Sequence, residues 1–105
     1  MTSKPDAREL CRHSEKIVVQ PHRQALLSRL NRIAGQVKGI SGMIESDRYC
    51  IDILTQVSAI QSALDAVARQ LIEDHTKGCV QKAVRQGDGE AAISELMEVL
   101  RKINR

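Results

Sequence analysis

The sequence predicts an all-α chain: a three-helix subunit that associates into an oligomer. Three observations point there. Apolar residues recur at helical spacing in three stretches, over residues 21–45, 51–77 and 90–103. No stretch shows the two-residue alternation of a half-buried strand. The core must also be aliphatic, because Tyr49 is the only aromatic residue. A helical chain of 105 residues with so thin a core gains burial by association.

Residues 1–20 read as a flexible arm, polar and without helical periodicity, followed by one domain over 21–105. Cys11 and His13 in the arm are either incidental or an auxiliary metal-loading pair. Helix one is expected from Pro21, since proline suits a first helical position. Leu26, Leu30, Ile33, Val37, Ile40 and Ile44 recur at alternating spacings of four and three, the seam of a bundle or coiled coil. Arg29, Arg32 and Gln36 share one flank of that seam. Gly35, Gly39 and Gly42 form a second stripe, and because each glycine weakens a helix, close approach by another helix is expected there. Ser46-Asp47-Arg48 is a short connection, with Asp47 as the expected cap of helix two. So short a link makes helices one and two an antiparallel hairpin.

Helix two carries Ile53, Leu54, Val57, Ile60, Leu64, Val67 and Leu71 toward a core, with Gly78 as its expected stop. Gln86-Gly87-Asp88-Gly89 is a break. Helix three then presents Ala92, Ile93, Leu96, Val99, Leu100 and Ile103 on one face. Arg101, Lys102 and Arg105 crowd its C-terminal end, where cations suit the helix dipole.

The net charge is +3, and its distribution is more informative than its size. Between residues 16 and 44 lie Lys16, Arg23, Arg29, Arg32 and Lys38 with no acidic residue, while the acids gather later. No secretory signal and no apolar run of membrane length occur, so a cytoplasmic, reducing setting is expected. There, three spaced cysteines point to metal or thiol chemistry rather than disulfides. No phosphate loop, nucleophile elbow or H-E-x-x-H motif is present, and no enzyme is expected.

Two constellations carry chemistry. Cys50, His75 and Cys79 are the candidate metal ligands. Cys50 and His75 are 25 residues apart, about 37 Å along one helix at ~1.5 Å per residue. Metal bonds are only about 2.0–2.3 Å long, so the two cannot share a metal within one helix. At about 100° per residue, all three fall on one helical face, provided the α-helical phase holds to Cys79. Two antiparallel copies would bring Cys50 of one beside His75 and Cys79 of the other, giving two such sites per dimer. Two thiolates and one imidazole suit trigonal Cu(I); zinc would require a fourth ligand. Against this stand a structural cysteine and a helix-capping histidine. The second constellation is Arg29 and Arg32 with Lys38 and Arg23, and with Gln36 on the flank of the first two, either a solvated basic face or a duplex-DNA face.

The residues R-L-N-R-I-A-G-Q-V-K-G-I (29–40), Y-C (49–50), L-T-Q-V-S-A-I-Q-S-A-L (54–64) and H-T-K-G-C (75–79) resemble the copper-sensing repressor (CsoR) family. That family includes RcnR-type nickel and cobalt sensors and formaldehyde- and persulfide-responsive repressors. The resemblance covers residues 21 to 103. It implies an all-α subunit, an antiparallel dimer paired again into a homotetramer, and binding to double-stranded operator DNA. It implies Cu(I) held by Cys50 of one subunit and His75 and Cys79 of another, with Tyr49 and Glu95 around the ligand histidine. Nickel and cobalt sensors carry His at the position of Cys79, persulfide sensors lack the His at 75, and formaldehyde sensors lack the second Cys. Cys-His-Cys matches the copper pattern. Cys11 and His13 have no counterpart in it. The expected function is a Cu(I)-responsive repressor released from DNA by copper. The alternatives are a thiol-based persulfide or oxidant sensor of the same family, and a copper-buffering helical protein without a DNA target.

Overall fold

The computed structural model describes residues 18–103; the expectations on Cys11, His13, Lys16 and Arg105 fall outside that range. The described residues contain α1 (Arg23–Glu45), α2 (Cys50–His75), a π-helical turn (Thr76–Val80), α3 (Gln81–Arg85) and α4 (Gly89–Ile103). No strand occurs among them. The π turn joins α2 to α3 without leaving helical dihedrals, since His75, Val80 and Gln81 all have right-handed helical φ and ψ. The described residues therefore trace three helical paths, and the all-α expectation holds. It divides into two compact units, Pro21–Leu71 and one built on Ile72–Arg105.

The first unit is the expected hairpin. Leu26 and Ile33 of α1 and Ile60 and Val67 of α2 form its buried cluster, with Ile40 and Ala63 packed against it. Burying each of the four large side chains is worth about 1.5–3 kcal/mol. Leu26 and Val67, like Ile33 and Ile60, lie nearly equidistant from the connection, as antiparallel packing requires. At the open end Gln70 Nε2 lies 3.2 Å from His22 Nδ1, a hydrogen bond in the tautomer that leaves Nδ1 as acceptor.

The 4-3 seam of α1 thus divides. Positions 26, 33 and 40 face α2, whereas Leu30, Val37 and Ile44 remain exposed. Leu54, Leu64 and Leu71 are likewise exposed on α2. Gly35, Gly39 and Gly42 face open space within the chain, where an added Cβ would meet nothing within 4 Å.

Three boundaries differ from the sequence expectation. α1 starts at Arg23, two residues after Pro21; His22 is its N-cap, and its carbonyl accepts from the Leu26 amide at 2.9 Å. Asp47 does not cap α2. It has φ 55° and closes α1: Asp47 N–H donates to Ile44 O and Arg48 N–H to Met43 O, the Schellman pair that satisfies orphan carbonyls. Tyr49 takes the cap position of α2 instead, its carbonyl accepting from the amides of Asp52 and Ile53. A left-handed non-glycine residue costs roughly 1–2 kcal/mol, more than the unfolded-state entropy that glycine would add, about 0.4–1 kcal/mol. Asp47→Gly is therefore expected to stabilise the chain by about 0.5–1 kcal/mol, read as a higher urea midpoint with an unchanged denaturant slope.

In the second unit Val80, Ala83 and Ala92 are buried, with Leu96 against them. Two glycines permit this packing. Gly87, at φ 88°, ends α3 in a second Schellman pair, with Gly87 N–H on Val84 O and Asp88 N–H on Ala83 O. Gly89 opens α4 so close to α3 that a Cβ there would sit 2.8 Å from Val84 Cγ2.

Candidate functional site

The candidate ligands sit at opposite ends of α2, and each end has its own character. Cys50 is the first residue of the helix, exposed and free. Tyr49 before it is 68% exposed. Serine, threonine, aspartate or asparagine would serve the cap position better, because a short side-chain oxygen reaches the first free amides. A phenol hydroxyl lies too far out for that. Tyrosine at this position weakens the helix start and leaves its ring and hydroxyl on the surface beside Cys50.

His75 is the last residue of α2 and is half-buried. Cys79 lies inside the π turn and is only 7% exposed. Gly78 is not the helix stop the sequence suggests; the backbone stays helical through it, and Cys79 lies within a helical turn. The α-helical phase assumed between His75 and Cys79 does not hold, because a π turn bonds residue i to i+5. The angle between the two residues therefore departs from the α value.

Lys77 Nζ donates to Glu73 Oε1 at 2.8 Å across the junction. The Glu73 carboxylate, first as hydrogen-bond acceptor and then as a charge, holds the Lys77 ammonium above the ordinary lysine pKa. Thr76 Oγ1 donates to Ile72 O at 2.8 Å. No signal in the sequence marked the π turn or α3.

Cys79 is disulfide-bonded in this structure, and Cys50 is not. The thiolate is the ligating form, so Cys79 joins a metal site only after reduction. In that form the donor set, two thiolates and one imidazole, fits a soft monovalent cation. Among the described residues no three His, Cys, Asp or Glu side chains gather within one chain.

Glu95 lies on the exposed side of α4, one turn after buried Ala92. The basic flank is on α1. Arg29, Arg32 and Lys38 are exposed and Gln36 is half-buried. Among the described residues none of the three cations is ion-paired, in contrast to Arg48 with Asp52, Lys77 with Glu73 and Arg101 with Glu98. No helix of the described residues is long and apolar enough to cross a membrane.

Comparison with known proteins adds a family. Residues 22–102 match the profile of the family described as metal-sensitive transcriptional repressor. The chain is 54% identical over 80 residues to the copper-sensing transcriptional repressor CsoR of Bacillus subtilis, covering 76% of this chain and 79% of that protein. It is 51% identical over 77 residues to the copper-sensing transcriptional repressor RicR of Mycobacterium tuberculosis, covering 73% and 79%. Its fold is similar to the crystal structure of the copper-sensing repressor CsoR with Cu(I) from Geobacillus thermodenitrificans, with a TM-score of 0.80 and 46% identity over 89% of this chain and 98% of that one. It is also similar to the nickel-responsive transcriptional regulator InrS, with a TM-score of 0.69 and 37% identity over 83% and 98%.

Proposed function

The chain belongs to the CsoR/RcnR family of metal-sensitive transcriptional repressors, and we propose that it is a cytoplasmic Cu(I)-responsive repressor, not an enzyme. The observation that carries this reading is the Cys50, His75 and Cys79 set, at the two ends of one helix and thus out of reach of one metal within one chain. The same fold serves a nickel-responsive relative, so metal identity rests on the ligands. Cys-His-Cys favours copper.

In this reading the subunits pair antiparallel and pair again as a tetramer. Exposed Leu30, Val37, Ile44, Leu54, Leu64 and Leu71 supply the apolar surface for association, and the open Gly35-Gly39-Gly42 stripe admits a close neighbour. Cys50 of one subunit joins His75 and Cys79 of another around the metal. Cu(I), when bound, supplies a soft centre that few ligands satisfy. Tyr49 and Glu95 hydrogen-bond around His75, fixing its tautomer and orientation. Arg29, Arg32, Lys38 and Gln36 contact double-stranded operator DNA in the apo state. Release on metal binding requires the DNA-incompetent state to bind copper more tightly, and linkage makes DNA weaken copper binding by the same factor.

The test is a mobility shift of the reduced chain on duplexes selected by the apo protein from random sequence, with and without Cu(I). Retardation by the apo chain and release by Cu(I) are expected. If no duplex is selected, the copper-buffering reading takes its place.

Glu95→Ala adds a sharper expectation. Copper affinity stays nearly intact, while the wild-type coupling, about 5–150-fold in DNA affinity, falls toward unity. Unchanged release by copper removes Glu95 from the mechanism. A thiol-based sensor is the second reading, and the disulfide at Cys79 is the observation that favours it. His75→Ala separates the two, since it disables a metal response and spares a thiol response.

A further inference from the structure

Gly78 has no local justification as glycine. Its φ is not positive, and a Cβ on it would meet nothing within 4 Å. It nonetheless lies within a helical path, where glycine is less favourable than alanine. It also sits at the centre of Thr76–Val80, the one π segment among the described residues, with α-helix before and after it. π turns inserted in α-helices recur at functional sites. Here the insertion falls between His75 and Cys79.

The geometry gives the insertion two consequences. A π turn accommodates one residue more than an α turn, and one residue corresponds to about 100° of rotation. Converting Thr76–Val80 to α-helix would turn Cys79 relative to His75 and turn α3 by about the same angle. The rotated residues include Val80 and Ala83, whose buried faces meet Ala92 and Leu96 of α4. The relative rotation of His75 and Cys79 and the face that α3 offers α4 are therefore set by a single local register.

Glycine keeps that register accessible. It removes the side chain whose preference would stabilise the uninterrupted α ladder. Glu73–Lys77 and Thr76–Ile72 bonds hold the entrance to the turn in α form, confining the change to the residues around Gly78.

We infer that Gly78 is a positioning residue for the metal pair: it keeps the π register of Thr76–Val80 accessible, and that register sets the rotation of Cys79 relative to His75, once Cys79 is reduced, and phases α3 against α4. This rests on the Cu(I) reading of the site. It adds a link from the metal pair to α4 that runs through backbone register rather than through a ligand side chain.

The test uses the full chain, reduced and anaerobic, as wild type, Gly78→Ala and Ser94→Ala. Ser94 is exposed in the regular α-helix α4, and alanine is the better helix former, so Ser94→Ala controls for helix stabilisation alone. Two quantities are read. In the apo protein, backbone chemical shifts and amide exchange report the register of residues 76–80. With one equivalent of Cu(I), X-ray absorption reports the sulfur and nitrogen ligands. Gly78→Ala is expected to move 76–80 to the α register, raise amide protection there about tenfold, and lose the imidazole ligand signature; Ser94→Ala should match wild type in both. A Gly78→Ala spectrum with wild-type ligands, or a π register retained in that variant, overturns the positioning role and leaves the Cu(I) reading standing. A wild-type chain without any sulfur–nitrogen Cu(I) signature overturns both. If Gly78→Ala does not fold, Gly78→Ser is read by the same criteria.

Discussion

Cys50→Ala is expected to abolish Cu(I)-driven release while the apo chain retains its affinity for DNA. The asymmetry follows from where the residue sits. Cys50 is the first residue of α2, exposed and free, and belongs to neither buried cluster. Substitutions at such surface positions change stability by about 0.5 kcal/mol or less, and alanine is the better helix former. The fold and the α1 flank should be untouched. The substitution removes one of the three proposed metal ligands and, in the shared-site reading, the one contributed by the other subunit. A coupling of about 1–3 kcal/mol has no source once copper no longer joins two chains. Fluorescence anisotropy of a labelled operator, titrated with Cu(I) under a strong reductant, reads this directly. The reductant is essential because Cys79 must be a thiolate. Loss of apo DNA binding in Cys50→Ala would mark the residue as structural instead.

Mixing chains sharpens the result. Cys50→Ala and His75→Ala subunits each lack a ligand, but an antiparallel pair of one of each contains one complete set: Cys50 from the His75→Ala chain, and His75 and Cys79 from the Cys50→Ala chain. Recovery of Cu(I) binding is expected to about a quarter of the wild-type capacity in an equilibrated equimolar mixture, since about half of the dimers are mixed and each holds one complete site of two. No recovery would sink the intersubunit site while leaving copper binding within one chain open to direct measurement.

The legibility of the fold in the sequence has a physical pattern. The α1 seam was legible because a strict 4-3 spacing over so many apolar positions is hard to reconcile with anything but a helix packed along one stripe. Which half of it would be covered was not. Leu26 and Leu30 are the same residue type, yet only the first is buried, and nothing local distinguishes a position that packs on α2 from one left on the surface. Asp47 was misassigned because aspartate is favoured both as an N-cap and, among non-glycine residues, in the left-handed conformation. A connection of four residues, 46–49, must serve two helix ends, and closure of α1 took Asp47. Gly78 resembles a stop because glycine often ends helices. The chain stays helical there because Val80 and Ala83 bury against Ala92, and tertiary burial outweighs a propensity difference of about 1 kcal/mol. At the candidate site, residue type suggests the chemistry and the spacing of Cys50 and His75 along α2 bounds the reach. The π turn was hidden because single residues carry no propensity strong enough to mark one.

The second large effect belongs to the other end of the function. Arg29→Ala is expected to weaken operator binding by roughly tenfold, about 1.4 kcal/mol, and to flatten its salt dependence. Among the described residues Arg29, Arg32 and Lys38 have no carboxylate partner, so their charge is not already neutralised within the chain. Arg29 and Arg32 lie three apart and Gln36 four further on, which places them on one flank of α1. Removing one phosphate-binding cation from a duplex interface should reduce the slope of log affinity against log salt by about 0.9. Every subunit of the assembly carries the change, so the reduction scales with the number of copies that touch DNA. Stability should move by less than about 0.5 kcal/mol, because the residue is exposed and outside the core. Arg29→Lys separates charge from geometry. If Arg29 meets only phosphate, lysine restores most of the slope and affinity; if it grips a base edge through both guanidinium nitrogens, lysine restores the slope but not the discrimination. An Arg29→Ala chain with wild-type affinity and slope would remove this flank of α1 from the DNA interface and leave the repressor to bind through cations elsewhere in the chain.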